Sequence, residues 1–86
     1  MQIVYSAGFL KSLSEFPAKI QKKTSSSLEL LKNNPFHPLL HTKKLTGQLA
    51  GFFSFRITRD YRIMFEFAGP ETIRLLRAAD RKEIYR

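Results

Sequence analysis

Two arginines stand where a hydrophobic core alone gives no reason for charge. Residues 45–67, LTGQLAGFFSFRITRDYRIMFEF, hold two alternating apolar runs, FFSFRI and YRIMFEF. Each run carries one arginine, Arg56 in the first and Arg62 in the second. A guanidinium is a planar fork that keeps its charge and matches the oxygens of a phosphate. Two of them on one surface suit a polyanion. The plainer alternative is a cross-strand ion pair with Glu66 on a solvated sheet face. More cations stand within reach of such a surface: Lys43 and Lys44 before the runs, and Arg77, Arg81 and Lys82 after them. Asp80 and Tyr85 lie in the same terminal stretch. His37 and His41 fall in a loop. Imidazole titrates near neutrality, which makes both spare proton-transfer groups; the simpler reading is loop surface or a local hydrogen bond. Two histidines without cysteine or carboxylate neighbours make a poor metal site, and no cofactor is expected.

The balance of charge points the same way. Fifteen Lys and Arg against seven Asp and Glu give a formal net charge of +8 over 86 residues. That favours nucleic acid or an acidic protein as partner. The length allows one small domain, residues 1–86, with a core modest enough that a stabilising partner is plausible. Cysteine is absent, which excludes a disulfide framework and a thiolate nucleophile. No apolar run approaches the ~20 residues of a membrane span. The opening MQIVYSAGFLKSL lacks the order of a signal peptide, so a cytoplasmic protein with no membrane partner is expected.

The elements that must position these groups follow from periodicity. Residues 2–5 are short and β-prone. Ser6 is a good N-cap for a helix bearing Phe9, Leu10, Leu13 and Phe16. Pro17 suits the first turn of a second helix, residues 18–32, whose stripe is Ile20, Thr24, Leu28 and Leu31 with Ser27 beside it. Asn33-Asn34-Pro35 ends it, with asparagine available for a left-handed cap. Residues 33–48 read as one long loop, a length that often marks function. Strands are expected at 51–58, 61–68 and 72–79. The order β-α-α-β-β-β predicts an α+β fold: two N-terminal helices packed on one face of a mostly antiparallel sheet, with the first strand paired beside a later one.

Strand parity assigns the faces. Phe53, Phe55 and Ile57 share one side with Tyr61, Ile63, Phe65 and Phe67, and this side meets the helices. Ser54, Arg56, Arg62, Met64 and Glu66 take the other. In the last strand Ile73 and Leu75 join the core. Arg74, Leu76 and Ala78 are expected opposite it, with Arg77 on core parity and forced to the rim. The sheet then has one face bare of helix and lined by arginines.

On these motifs the chain resembles the RelE/ParE superfamily of bacterial toxins from toxin–antitoxin pairs. The resemblance rests on Leu45, Gly47 and Gly51 before an arginine-bearing strand, on Arg56, on Asp60-Tyr61-Arg62-Ile63, and on the ending Arg81-Lys82-Glu83-Ile84-Tyr85. It covers nearly the whole chain and implies a microbial-ribonuclease-like fold. For the RelE branch it implies cleavage of mRNA on the ribosome, without a metal, by attack of a 2′-hydroxyl on the adjacent phosphate. The roles it implies are catalytic for Arg56, Arg62 and Tyr85; Asp80 is a further catalytic candidate, as a base, and Lys43, Lys44, Arg77, Arg81 and Lys82 are the candidates for binding RNA. It also implies a cognate acidic antitoxin. For the ParE branch the target is DNA gyrase instead. Two positions depart from the pattern. Ser54 stands where RelE-type members carry a lysine, and Ala79-Asp80 stand where active members carry an arginine or histidine. A catalytically inactive RNA- or antitoxin-binding remnant is the reading that this second departure favours.

Overall fold

Alternation in the apolar runs gives the strands, and helical spacing gives the two helices before them. The computed structural model describes residues 1–85. Strand β1 is Gln2–Tyr5, helix α1 Ala7–Ser14 and helix α2 Ala18–Asn33. Strands β2, Lys43–Lys44, β3, Phe53–Arg56, β4, Tyr61–Gly69, and β5, Thr72–Asp80, follow. They form one sheet in the order β1-β5-β4-β3-β2, parallel only between β1 and β5. The architecture is the expected α+β arrangement. No helix among the described residues is long and apolar enough to cross a membrane.

Both helices dock as their sequences dictate. The Ser6 hydroxyl accepts the Phe9 N–H at 3.0 Å, capping α1. It also donates to the Leu76 carbonyl, which ties the helix start to β5. Phe9 from α1 and Leu31 from α2 are fully buried against Phe55, Ile63, Phe65, Ile73 and Leu75. Thr24 and Ser27 are buried along α2, and the Thr24 hydroxyl bonds back to the Ile20 carbonyl at 2.8 Å. Tyr61 is half-buried at the edge of this core, its ring 4.7 Å from that of Phe16.

The structure corrects four expectations. Pro17 is the N-cap of α2 rather than part of its first turn; its carbonyl accepts the Ile20 and Gln21 amides. Asn34 ends α2 in an extended conformation, φ −157°, not a left-handed one. Pro35 imposes that, because its ring pushes the preceding residue to extended backbone. The loop of residues 33–48 contains a 3₁₀ turn, Pro38–Leu40, and the short edge strand β2. A two-residue strand leaves no periodic trace in a sequence. Finally, β5 carries a β-bulge: Met64 pairs with Arg77 and Phe65 with Leu75, which leaves Leu76 between them unpaired. One inserted residue resets the alternation. Ala78, expected opposite the core, therefore joins it at 3% exposure, and Ala79 falls opposite Arg62.

Candidate functional site

Antiparallel register places Arg56 of β3 directly across from Arg62 of β4. Residues so opposed project to the same side, with Cβ atoms roughly 4.5–5.5 Å apart. Two like charges in that relation destabilise a sheet unless something neutralises them. The expected alternative, pairing with Glu66, is not what forms: the Glu66 carboxylate lies 3.5 Å from the Arg74 guanidinium instead. Arg56 Nε is buried and has no hydrogen-bond partner among the described residues. An orphaned donor of that kind costs about 1–3 kcal/mol until an acceptor arrives.

Neighbouring segments add to this pair. Strand β2 pairs Lys43 with Ser54, so an edge-strand lysine stands beside the serine that departs from the lysine pattern. The chain end folds over the face that the helices leave open. Asp80 closes its turn, the carboxylate accepting the Lys82 and Glu83 amides at 2.9 Å each. The Arg81 amide donates to the Asp60 carbonyl at 2.8 Å, fixing the turn to the β3–β4 loop. Ile84 is fully buried outside the main core cluster. Tyr85 follows it, its hydroxyl 3.2 Å from Ser54 Oγ. The Lys43 ammonium sits 5.7 Å from the centre of the Tyr85 ring, at cation–π distance. Such a tether leaves Tyr85 39% exposed at the lip of the site.

Together these groups enclose a cleft of about 350 Å³, lined by His41, Lys43, Arg56, Arg62, Arg81 and Tyr85. Four of the six are cationic, and no carboxylate among the described residues lines it. His41 reaches it from a left-handed residue, φ 48° and ψ 44°, that closes the Pro38–Leu40 turn. His37 does not: its Nδ1 accepts the Leu39 amide at 3.1 Å and starts that same turn. The structure therefore separates the two loop histidines, which sequence spacing could not.

The other sequence-predicted site residues divide. Arg56, Arg62, Arg81, Lys43 and Tyr85 converge on the cleft. Lys44 lies along an adjoining groove with Leu45, Gln48 and Leu49, sharing Lys43 and Tyr85 with the cleft. Gly47 and Gly51, whose φ values are +65° and +98°, shape that groove by allowing a left-handed turn on either side of residues 48–50. Asp80 stands apart from them. Its carboxylate is a turn acceptor, and the residue lines a different cleft, between α1 and β5, with Tyr61 and Glu15. Arg77 lines that cleft too, and exposed Lys82 lines none of those described. No group of three or more His, Cys, Asp or Glu among the described residues is placed to hold a metal ion.

Comparison with known proteins returns this fold. No protein-family model matches the sequence, and no curated protein matches it either. Solved structures do. The RelB–RelE antitoxin–toxin complex from Methanococcus jannaschii is 28% identical, with a TM-score of 0.75 over 95% of this chain and 94% of that one. YafQ from E. coli superposes with a TM-score of 0.81 at 18% identity, over 99% and 98% of the two chains. A YoeB/ParE toxin from Agrobacterium tumefaciens gives 0.78 at 21% identity, over 93% and 98%. The fold is that of the RelE/ParE superfamily, as the sequence motifs implied.

Proposed function

We propose that this chain, built on the RelE/ParE fold, is the toxin of a toxin–antitoxin pair, and that its cationic cleft binds and cuts mRNA presented by the ribosome. One observation carries the reading: four cations converge with no lining carboxylate among the described residues, two of them opposed in register and one with an orphaned buried donor. A sheet does not keep such repulsion for its own stability. A phosphodiester resolves it. Its oxygens accept from the guanidinium forks, and those contacts strengthen as charge builds on the phosphorus during attack. Tyr85, half open and held by Ser54, offers a ring on which an unpaired base stacks. The reaction is transfer of the phosphate to the neighbouring 2′-hydroxyl, leaving a cyclic phosphate and a 5′-hydroxyl.

The partner that restrains it is an acidic antitoxin. A net charge of +8 is the complement of such a chain. The Methanococcus relative was itself solved as an antitoxin–toxin complex.

Inducible expression followed by primer extension on a known transcript tests the activity. The expected result is new 5′ ends inside coding sequence, with translation arrested. Intact mRNA with inhibited DNA supercoiling would move the target to gyrase. Unaffected growth, mRNA and supercoiling would reduce the chain to a binding module.

A further inference from the structure

The proposed reaction needs a group that takes the proton of the attacking 2′-hydroxyl. Among the residues that line the cleft the choice is narrow. Arg56, Arg62 and Arg81 present guanidinium groups, which have donors and no acceptor. A lysine ammonium likewise has donors and no acceptor, and the Tyr85 hydroxyl is engaged with Ser54 Oγ. Asp80, the carboxylate expected for this task, is committed to the turn amides of Lys82 and Glu83 and lines the other cleft. The sixth lining residue is His41.

We infer that His41 is the general base of this site, replacing the proton-transfer group that Ala79-Asp80 do not supply; the inference rests on the ribonuclease reading above. Among the described residues its imidazole has no hydrogen-bond partner, so neither ring nitrogen is used by the fold. His37, four residues earlier, has its Nδ1 consumed by Leu39 and stays out of the cleft. The left-handed backbone at His41 turns the chain between the buried Leu40 and edge strand β2. That places the ring on the β2 side of the two arginines, and it is exposed there to an incoming strand.

The step balances with water as the one further participant. The bond from the 2′-oxygen to phosphorus forms as the bond from phosphorus to the 5′-oxygen breaks. The 2′-hydroxyl proton passes to the imidazole. The departing 5′-oxygen takes a proton from water, and the imidazolium returns its own to the hydroxide left behind. Arg56 and Arg62 hold the phosphate meanwhile.

His41→Asn is the discriminating variant, because asparagine tolerates left-handed backbone and an amide does not accept a proton near neutrality. Single-turnover cutting on programmed ribosomes is measured from about pH 5.5 to 8.5. The unsubstituted chain should show a rate that rises with pH and levels off. The variant should be slower by about 10²–10⁴-fold, with that rise abolished. Its thermal midpoint, and its binding to a 2′-O-methyl copy of the mRNA that cannot react, should match the unsubstituted chain. Cutting within about threefold of the unsubstituted rate overturns the assignment, since general base catalysis is worth far more. So does a slower variant that keeps the pH rise, or one whose loss is matched by lost binding. Failure of the unsubstituted chain to cut at all overturns the ribonuclease reading itself, and His41 as its base falls with it.

Discussion

The two faces of the sheet use the same strands for opposite purposes. Toward the helices, Phe55, Ile63, Phe65, Ile73 and Leu75 are all fully buried. Toward the other side, the residues between them include Ser54, Arg56, Arg62 and Glu66. A side-chain period of two lets neighbouring positions belong to different environments. One face gains its free energy by excluding water, and the other spends some of it on opposed charge. The second face is not simply solvent-exposed, since the terminal turn buries Ile84 and ties Tyr85 to Ser54, itself fully buried. A cleft with a defined wall results, in place of a flat basic surface. Substitutions on the two faces should therefore separate stability from chemistry.

The largest expected effect lies on the helix side. Phe65→Ala should cost about 3–5 kcal/mol in denaturant unfolding, a large part of the ~5–15 kcal/mol total of a domain. Activity would go with the fold. A loss below about 1 kcal/mol would remove Phe65 from the core and break the contrast between faces. Next, Arg62→Ala should slow mRNA cutting by about 10²–10³-fold, the usual worth of one transition-state donor. Its unfolding midpoint should hold or rise, because Arg56 loses a like-charged neighbour. Marked destabilisation there would mean that the arginines serve the fold after all.

A smaller effect is expected at Lys43. Binding of single-stranded RNA weakens with salt by a slope of about 0.7 per cation engaged, so Lys43→Ala should flatten that slope by about 0.7. Fluorescence anisotropy at several salt concentrations measures it, and an unchanged slope would place Lys43 outside the binding face. The smallest is Asp80→Asn. Asparagine keeps the oxygen that accepts the Lys82 and Glu83 amides, so the turn survives and the cutting rate should stay at the unsubstituted value. A rate collapse with binding intact would return Asp80 to the proton-transfer role and displace His41.

Much of the fold was legible because its cues are local. Ser6 before an apolar helical pattern, and Phe55 alternating with Arg56, state their elements within a few residues. The misses are instructive for the same reason. The bulge at Leu76 lies inside TIRLLRAAD, where nothing in the residue types marks an inserted position, so parity ran one step out and misplaced Ala78 and Arg77. The turn that Asp80 closes was not legible either, because a side-chain acceptor's partners are visible only once Lys82 and Glu83 are folded above it. His37 and His41 are indistinguishable as letters; their fates part at the Pro38–Leu40 turn that lies between them.

By itself the sequence determined a basic chain, two amphipathic helices, and strands whose alternation puts Arg56 and Arg62 on the side away from those helices. Periodicity of 2 or 3.6 is a property of adjacent residues, so side-chain order alone reveals it. Tertiary structure decided what meets the two arginines. Lys43 arrives through a two-residue edge strand, His41 through a left-handed turn, and Arg81 and Tyr85 through a chain end folded back by Asp80 and anchored by Ile84. Each of those depends on pairing between segments far apart in the chain, and a cleft made of such pairings has no signature in any one of them.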